Sequence, residues 1–207
     1  MTNSLFIVVD GIDGSGKSEI VKMLHNYLFS KHKKYRILTT REPTNGKYGK
    51  QIREMLEKEN DPMESRDHLT ELFIKDRHEH LKDTINPFLE KSNEHEMNIV
   101  VCDRYYYSTI AFQGAQGSEM AELAEKNSNF RKPDISFILD VEPSAALERI
   151  GYRKKEKFEQ LEFMKNIRAN FLKLPELLKD NIRIIDSSGS LTDIFGKIKK
   201  ELDPVLG

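Results

Sequence analysis

The stretch Leu5-Phe6-Ile7-Val8-Val9-Asp10-Gly11-Ile12-Asp13-Gly14-Ser15-Gly16-Lys17-Ser18 decides the fold. Leu5 to Val9 is a continuous apolar run leading into a glycine, which suits a strand buried on both faces better than one facing water. Gly11 to Ser18 then fits the pattern G-x-x-x-x-G-K-[ST], placed between a predicted strand and a predicted helix as its mechanism requires. Gly11, Gly14 and Gly16 let backbone N–H groups turn inward, with Ser15 inside the same cradle, and the helix N-terminus adds positive potential for a phosphate. Lys17 reaches β and γ oxygens of a nucleotide such as ATP, and Ser18 can ligate Mg²⁺. A Gly-rich turn with a purely structural role would account for the glycines but leave Lys17-Ser18 unexplained.

Outward from this loop, apolar runs recur at Arg36 to Thr40, Asn98 to Cys102, Ile135 to Val141 and Ile182 to Ile185. Helical spacing occupies Ser18 to Ser30, Leu69 to Leu89, Ala145 to Ile150, Phe158 to Leu178 and Leu191 to Leu202, with Pro87 near one helix end and Pro175 expected to interrupt another. The alternation predicts an α/β fold in three layers, a five-stranded parallel sheet flanked by helices. Ligands in such sheets collect beyond the carboxyl ends of the strands, where the junctions at Gly11, Glu42 and Asp103 fall.

Bulk properties narrow the classes. The 207 residues suit one compact domain. With 33 Lys and Arg against 34 Asp and Glu, the formal charge of −1 argues against a chain held on nucleic acid by bulk electrostatics. Cys102 is the lone cysteine, so no disulfide forms within the chain, and its apolar run suggests a small hydrophobic role. Leu5 to Val9 is too short for a signal core or a membrane span, so a soluble cytoplasmic protein is expected.

The loop alone leaves kinase, GTPase and motor ATPase open. No Asn-Lys-x-Asp segment for guanine reading follows it, whereas the third strand ends in Asp103-Arg104, a carboxylate beside a guanidinium, as a site joining metal and an anionic acceptor needs. His78-Glu79-His80 reads as a solvated helix, since positions i and i+2 diverge. Lys31 to Lys34 reads as a helix end whose cations complement the dipole. Ser187-Ser188-Gly189-Ser190 is turn chemistry and an N-cap for the last helix.

The chain resembles the thymidylate kinases in four further segments that occur in order. They are Thr40-Arg41-Glu42-Pro43, Leu72-Phe73-Ile74-Lys75-Asp76-Arg77, Asp103-Arg104-Tyr105-Tyr106-Tyr107-Ser108-Thr109-Ile110-Ala111-Phe112-Gln113, and Lys132-Pro133-Asp134. The resemblance implies transfer of the γ-phosphoryl group of MgATP to dTMP in dTTP synthesis, by a homodimer that needs neither nucleic acid nor membrane. It implies that Phe73 stacks on the pyrimidine and that Arg77, at i+4 on the same face, donates to the base O4. It gives Arg104 the acceptor phosphate and Asp103 the metal, through water. Asp13 would meet the sugar 3′-hydroxyl, and Glu42, Pro43, Ser108, Thr109, Phe112 and Gln113 would line the acceptor. Phe112 stands where relatives commonly have tyrosine, and Thr44-Asn45-Gly46 departs from the usual Gly-Gly-Thr.

The basic segment Arg149 to Glu159 follows the fourth strand and its helix. By composition it is a solvated charged turn, and by its place in the kinase order a cationic lid. Some thymidylate kinases carry an arginine within the phosphate loop. Here Gly14 follows Asp13, so the transition-state cation is expected from Arg153 first and Arg149 second.

Overall fold

The computed structural model describes residues 4–58, 66–151 and 157–206. Five strands, β1 (Ser4–Gly11), β2 (Tyr35–Arg41), β3 (Met97–Asp103), β4 (Ile135–Asp140) and β5 (Ile182–Asp186), form one sheet. All its pairings are parallel, in the order β2-β3-β1-β4-β5.

The period-2 geometry of β1 divides its apolar run between two helix layers. Leu5, Ile7 and Val9 pack with α1 (Lys17–Lys31) and α9 (Leu191–Leu206), through Ile20, Leu24, Ile194 and Ile198. Phe6 and Val8 face the opposite layer of α5 (Tyr106–Ala115), α7 (Pro143–Ile150) and α8 (Lys157–Leu178), through Ile110, Leu147 and Phe171. Each such fully buried side chain contributes roughly 1.5–3 kcal/mol, so a continuous apolar strand is stable only when covered on both sides. Cys102 lies in that core with its thiol pushed well up by burial, in keeping with a packing role.

The sequence reading passed over two helices: α6 (Met120–Asn127), which joins the layer of α5 and α8 through Leu123, and α2 (Lys47–Lys58), which packs on α3 (Arg66–His80) through Ile52, Leu69 and Leu72. The expected single helix from Leu69 to Leu89 is instead α3, a wider π turn at Leu81–Ile85, and α4 (Asn86–Glu90). Asn86 N–H reaches back to Leu81 O, five residues away. A proline cannot donate and crowds the carbonyl four residues before it, and the widened turn just ahead of Pro87 accommodates both effects. Pro175 does not interrupt its helix, since α8 runs through it to Leu178.

Because β1 lies between β3 and β4, the chain leaves it in one direction for β2 and β3 and in the other for β4. The crevice at that reversal is where an open α/β sheet receives ligands. Val9 pairs with Asp103, Arg104 N–H donates to Val9 O at 2.9 Å, and Glu42 N–H to Asp103 O at 3.0 Å. The three junctions are thereby joined at one end of the sheet.

Candidate active site

The Gly11–Ser18 loop is built as its residue types demand. Gly14 has φ +77°, and a Cβ there would lie 2.4 Å from Ala146 O, a backbone atom of α7, so only glycine fits. Gly16, at φ 97°, caps α1. Lys17 Nζ donates to Gly11 O at 3.1 Å and Ile12 O at 2.8 Å. Burial, aided by the Arg104 cation, pushes its ammonium down to about 8. Ser18 Oγ donates to Asp103 Oδ2 at 3.1 Å, while Asp103 Oδ1 is buried without a hydrogen-bond partner among the described residues.

Arg104 stands at the end of β3 with φ 71°, a left-handed conformation costly for a side chain with a Cβ. Its backbone N–H extends the β3–β1 pairing while its guanidinium turns into the cleft. Nη1 donates to Ser108 Oγ at 2.7 Å, Nη2 pairs with Asp13, and the group lies 5.2 Å from the Phe112 ring centre. The Asp13 carboxyl is held below the usual carboxylate range: desolvation opposes this, but the Arg104 and Lys17 cations outweigh it.

Behind Arg104 is Asp10, which the sequence reading did not single out. Its fully buried carboxylate accepts from Gly11 N (2.8 Å), Tyr105 N (3.2 Å), Ser108 N (3.0 Å) and Ser108 Oγ (2.7 Å). One acidic side chain at the end of β1 thus ties the phosphate loop to the N-terminus of α5, where its negative charge complements the helix dipole. Burial pushes its carboxyl up, opposed by Arg104 and by the Ser108 hydrogen bond.

Two cavities adjoin at these residues. The first, about 630 Å³, is lined by Asp13, Gly14, Gly16, Lys17 and Ser18 of the loop together with Asp103, Arg104, Arg149, Gly189 and Leu191. The second, about 320 Å³, is walled by Pro43, Phe73, Tyr105, Phe112 and Phe163, with Glu42, Arg77, Ser108, Thr109 and Gln113. Asp13, Glu42, Pro43 and Arg104 border both. Lys17, Arg104 and Phe73, far apart in sequence, therefore serve one continuous cleft. Leu56 and Phe163 also line it, and no local pattern in the sequence marks them.

Arg77 is not a solvated helix charge. It is 1 % exposed, and its guanidinium lies over the rings of Tyr105 (5.2 Å to the centre) and Phe130 (5.6 Å). Nε donates to Glu42 Oε2 at 2.9 Å, Nη1 to Asn127 Oδ1 at 2.7 Å and Nη2 to Thr109 Oγ1 at 3.0 Å. Reading His78-Glu79-His80 as a solvated helix is corrected at its last residue. His80 is buried, with Nδ1 3.1 Å from Glu42 Oε1 and Nε2 2.7 Å from Thr40 Oγ1. Helical phase puts His80 three residues after Arg77 and on the same face, a signal that the i, i+2 comparison with His78 overlooked. Gln113, which lines the second cavity, has its Oε1 buried without a hydrogen-bond partner among the described residues.

Of the lid, the structure describes residues 149–151, and α8 begins again at Lys157. Arg149 Nη1 donates to Gly14 O at 3.3 Å and Nη2 to Ser187 O at 3.1 Å, at the rim of the first cavity. Arg153, the first choice for the transition-state cation, lies outside the described residues. The Ser190 cap is present: its Oγ accepts from Asp193 N at 3.2 Å. Among the described residues no three His, Cys, Asp or Glu side chains form a metal cage, and no helix is long and apolar enough to cross a membrane.

The family model for thymidylate kinase matches residues 9–198. A protein named probable thymidylate kinase from Pyrococcus horikoshii is 36% identical over 198 residues, covering 93% of either chain. One named thymidylate kinase from Caldicellulosiruptor saccharolyticus is 36% identical over 210 residues, covering 97% of each. Another, named probable thymidylate kinase, from Methanococcus vannielii is 41% identical over 172 residues, covering 83% of this chain and 78% of its own.

Proposed function

This chain belongs to the thymidylate kinase family, and we propose that the cleft between its phosphate loop and Phe73 transfers the γ-phosphoryl group of MgATP to dTMP. The observation that carries the choice of acceptor is the pair of polar groups in the aromatic-walled cavity. Arg77 offers a fixed donor, and Gln113 an Oε1 acceptor that has no partner among the described residues. A thymine edge presents a carbonyl O4 and an N3–H, the complement of that pair, whereas cytosine presents an amino group and a bare ring nitrogen. A buried polar site rejects a ligand that leaves its groups unpaired far more strongly than it rejects one of the wrong size.

Donor and acceptor occupy the first and second cavities in this reading. Backbone N–H groups of the loop and Lys17 hold the donor polyphosphate. Phe73 stacks on the base, Asp13 meets the sugar hydroxyl, and Arg104 turns from Asp13 toward the acceptor phosphate, where a planar fork grips two oxygens at once. Ser108, which bridges Arg104 to Asp10, sets the orientation of that fork. Phosphoryl transfer needs alignment and neutralisation of charge, with no covalent intermediate on the protein, and the adjoining cavities supply the alignment.

Asp103 Oδ1, without a partner among the described residues, and Ser18 Oγ are a hard-oxygen pair that fits Mg²⁺ sharing its remaining positions with water and phosphate. Ser18 and Asp103 would hold the ion, which when bound neutralises β- and γ-phosphate charge. Arg153 and Arg149 supply the further cations at the donor side. Family membership supports a homodimer working in the cytoplasm, and sedimentation of the purified protein tests the dimer.

A panel of nucleoside monophosphates assayed for ADP release with MgATP tests the activity. dTMP is the expected best acceptor. A clear preference for another monophosphate would overturn the assignment.

A further inference from the structure

Arg77 is held more tightly than contact with a base alone requires. Each of its three nitrogens donates to a protein acceptor, and Nη2 also lies 2.8 Å from Glu42 Oε2. Of the five N–H groups on a guanidinium, the second Nη1 hydrogen bonds to nothing among the described residues, and Arg77 borders the acceptor cavity. Glu42 and Thr109 line that cavity, but Asn127 and His80, which complete the restraint on this pose, stand outside it. Asn127, at the end of α6, gives its Nδ2 hydrogen to Leu123 O at 2.7 Å, so its amide is oriented with Oδ1 toward Arg77. On the other side Glu42 is steadied by His80, which is in turn held by Thr40.

We infer that Asn127 and His80 are positioning residues for base selection, holding the Arg77 fork so that one Nη1 hydrogen is presented to the 4-position of the acceptor base. The inference rests on dTMP being the acceptor and deepens that reading. A buried guanidinium held by these hydrogen bonds and packed against two rings cannot turn without leaving several N–H groups unpaired in a dry site, so its donor stays fixed in direction. A fixed donor is what separates a 4-keto base from a 4-amino base, since it cannot swing aside to relieve the mismatch with an amino group. Replacing Asn127 Oδ1 with an apolar group leaves both Nη1 hydrogens without a protein partner and frees the fork to tilt.

The test compares kcat/KM for dTMP and dCMP, with KM for ATP measured alongside, in the parent protein, Asn127→Leu, Asn127→Asp and His80→Leu. Asn127→Leu is expected to raise KM for dTMP by about tenfold to a hundredfold, the scale for losing a hydrogen bond to a charged group. It is expected to lower the dTMP to dCMP ratio by at least about tenfold, while kcat and KM for ATP stay unchanged. Asn127→Asp keeps an acceptor for Nη1 and should retain most of the ratio. His80→Leu, acting through Glu42, should lower it in the same direction, and it decides the matter if Asn127→Leu does not fold. An unchanged ratio in the folded Leu variants, or an equal loss for both nucleotides and ATP, would overturn the inference. A parent protein without dTMP preference would overturn the acceptor assignment instead.

Discussion

Replacing Asp10 by Asn removes one charge and almost no volume, so its consequences follow from hydrogen bonds and charge and not from packing. The carboxylate accepts four of them, from Gly11 N, Tyr105 N, Ser108 N and Ser108 Oγ, and lies 3.7 Å from Arg104 Nη1. An amide has one accepting oxygen. Its least costly orientation keeps that oxygen on the N–H groups of Tyr105 and Ser108 and turns Nδ2 toward Ser108 Oγ and Gly11 N. Ser108 Oγ can accept, but its own hydrogen then lacks a partner, and Gly11 N–H faces another donor. Two bonds to a charged group are lost, at about 1.5–3 kcal/mol each, although part of the carboxylate's burial cost is recovered. Loss of the negative charge at the helix N-terminus costs about 0.3–1 kcal/mol more. A destabilisation of about 3–5 kcal/mol results, which for a chain of this length lowers Tm by roughly 10 °C. Ser108 also carries the contact from Asp10 to Arg104, so KM for dTMP should rise about tenfold, the scale of one charge-assisted hydrogen bond. Scanning calorimetry and steady-state kinetics measure both. A variant melting within about 2 °C of the parent with unaltered KM for dTMP would refute this reasoning, and would mean that the native carboxyl is carried protonated.

Lys17 has its ammonium pushed down to about 8 by burial, so in the free protein the cation is lost as pH rises through that value. Here kcat/KM for ATP should fall toward tenfold per pH unit above about pH 8, and a profile flat to pH 9.5 would contradict it. Arg153→Ala should lower turnover at saturating substrates by about two orders of magnitude, the scale for removing a charge-stabilising donor, with a smaller loss for Arg149→Ala. Near-normal turnover in Arg153→Ala would reject that lid assignment.

The features legible in the sequence are those that local chemistry dictates. A continuous apolar run from Leu5 to Val9 must be covered on both faces. Gly14 and Gly16 mark positive φ, and Lys17-Ser18 after them specifies phosphate. The sheet and four of the five predicted helices follow from such periodicities, with strand ends within two residues of those expected. The segment from Leu69 to Leu89 departs because Pro87 is taken up by a π turn, a choice made by packing and not by pattern.

Tertiary structure alone decided the rest. The order β2-β3-β1-β4-β5 brings Asp103 beside Val9 and makes neighbours of Asp10 and Ser108, 98 positions apart. Arg77 becomes a buried, oriented donor only because Glu42 and Asn127, 35 and 50 positions away, converge on it. Residue types announce what a backbone turn or a phosphate requires, since those demands are met within a few residues. Which acceptor quenches a buried charge is settled only when distant segments pack together, because the cost of leaving it unpaired arises only once water is excluded.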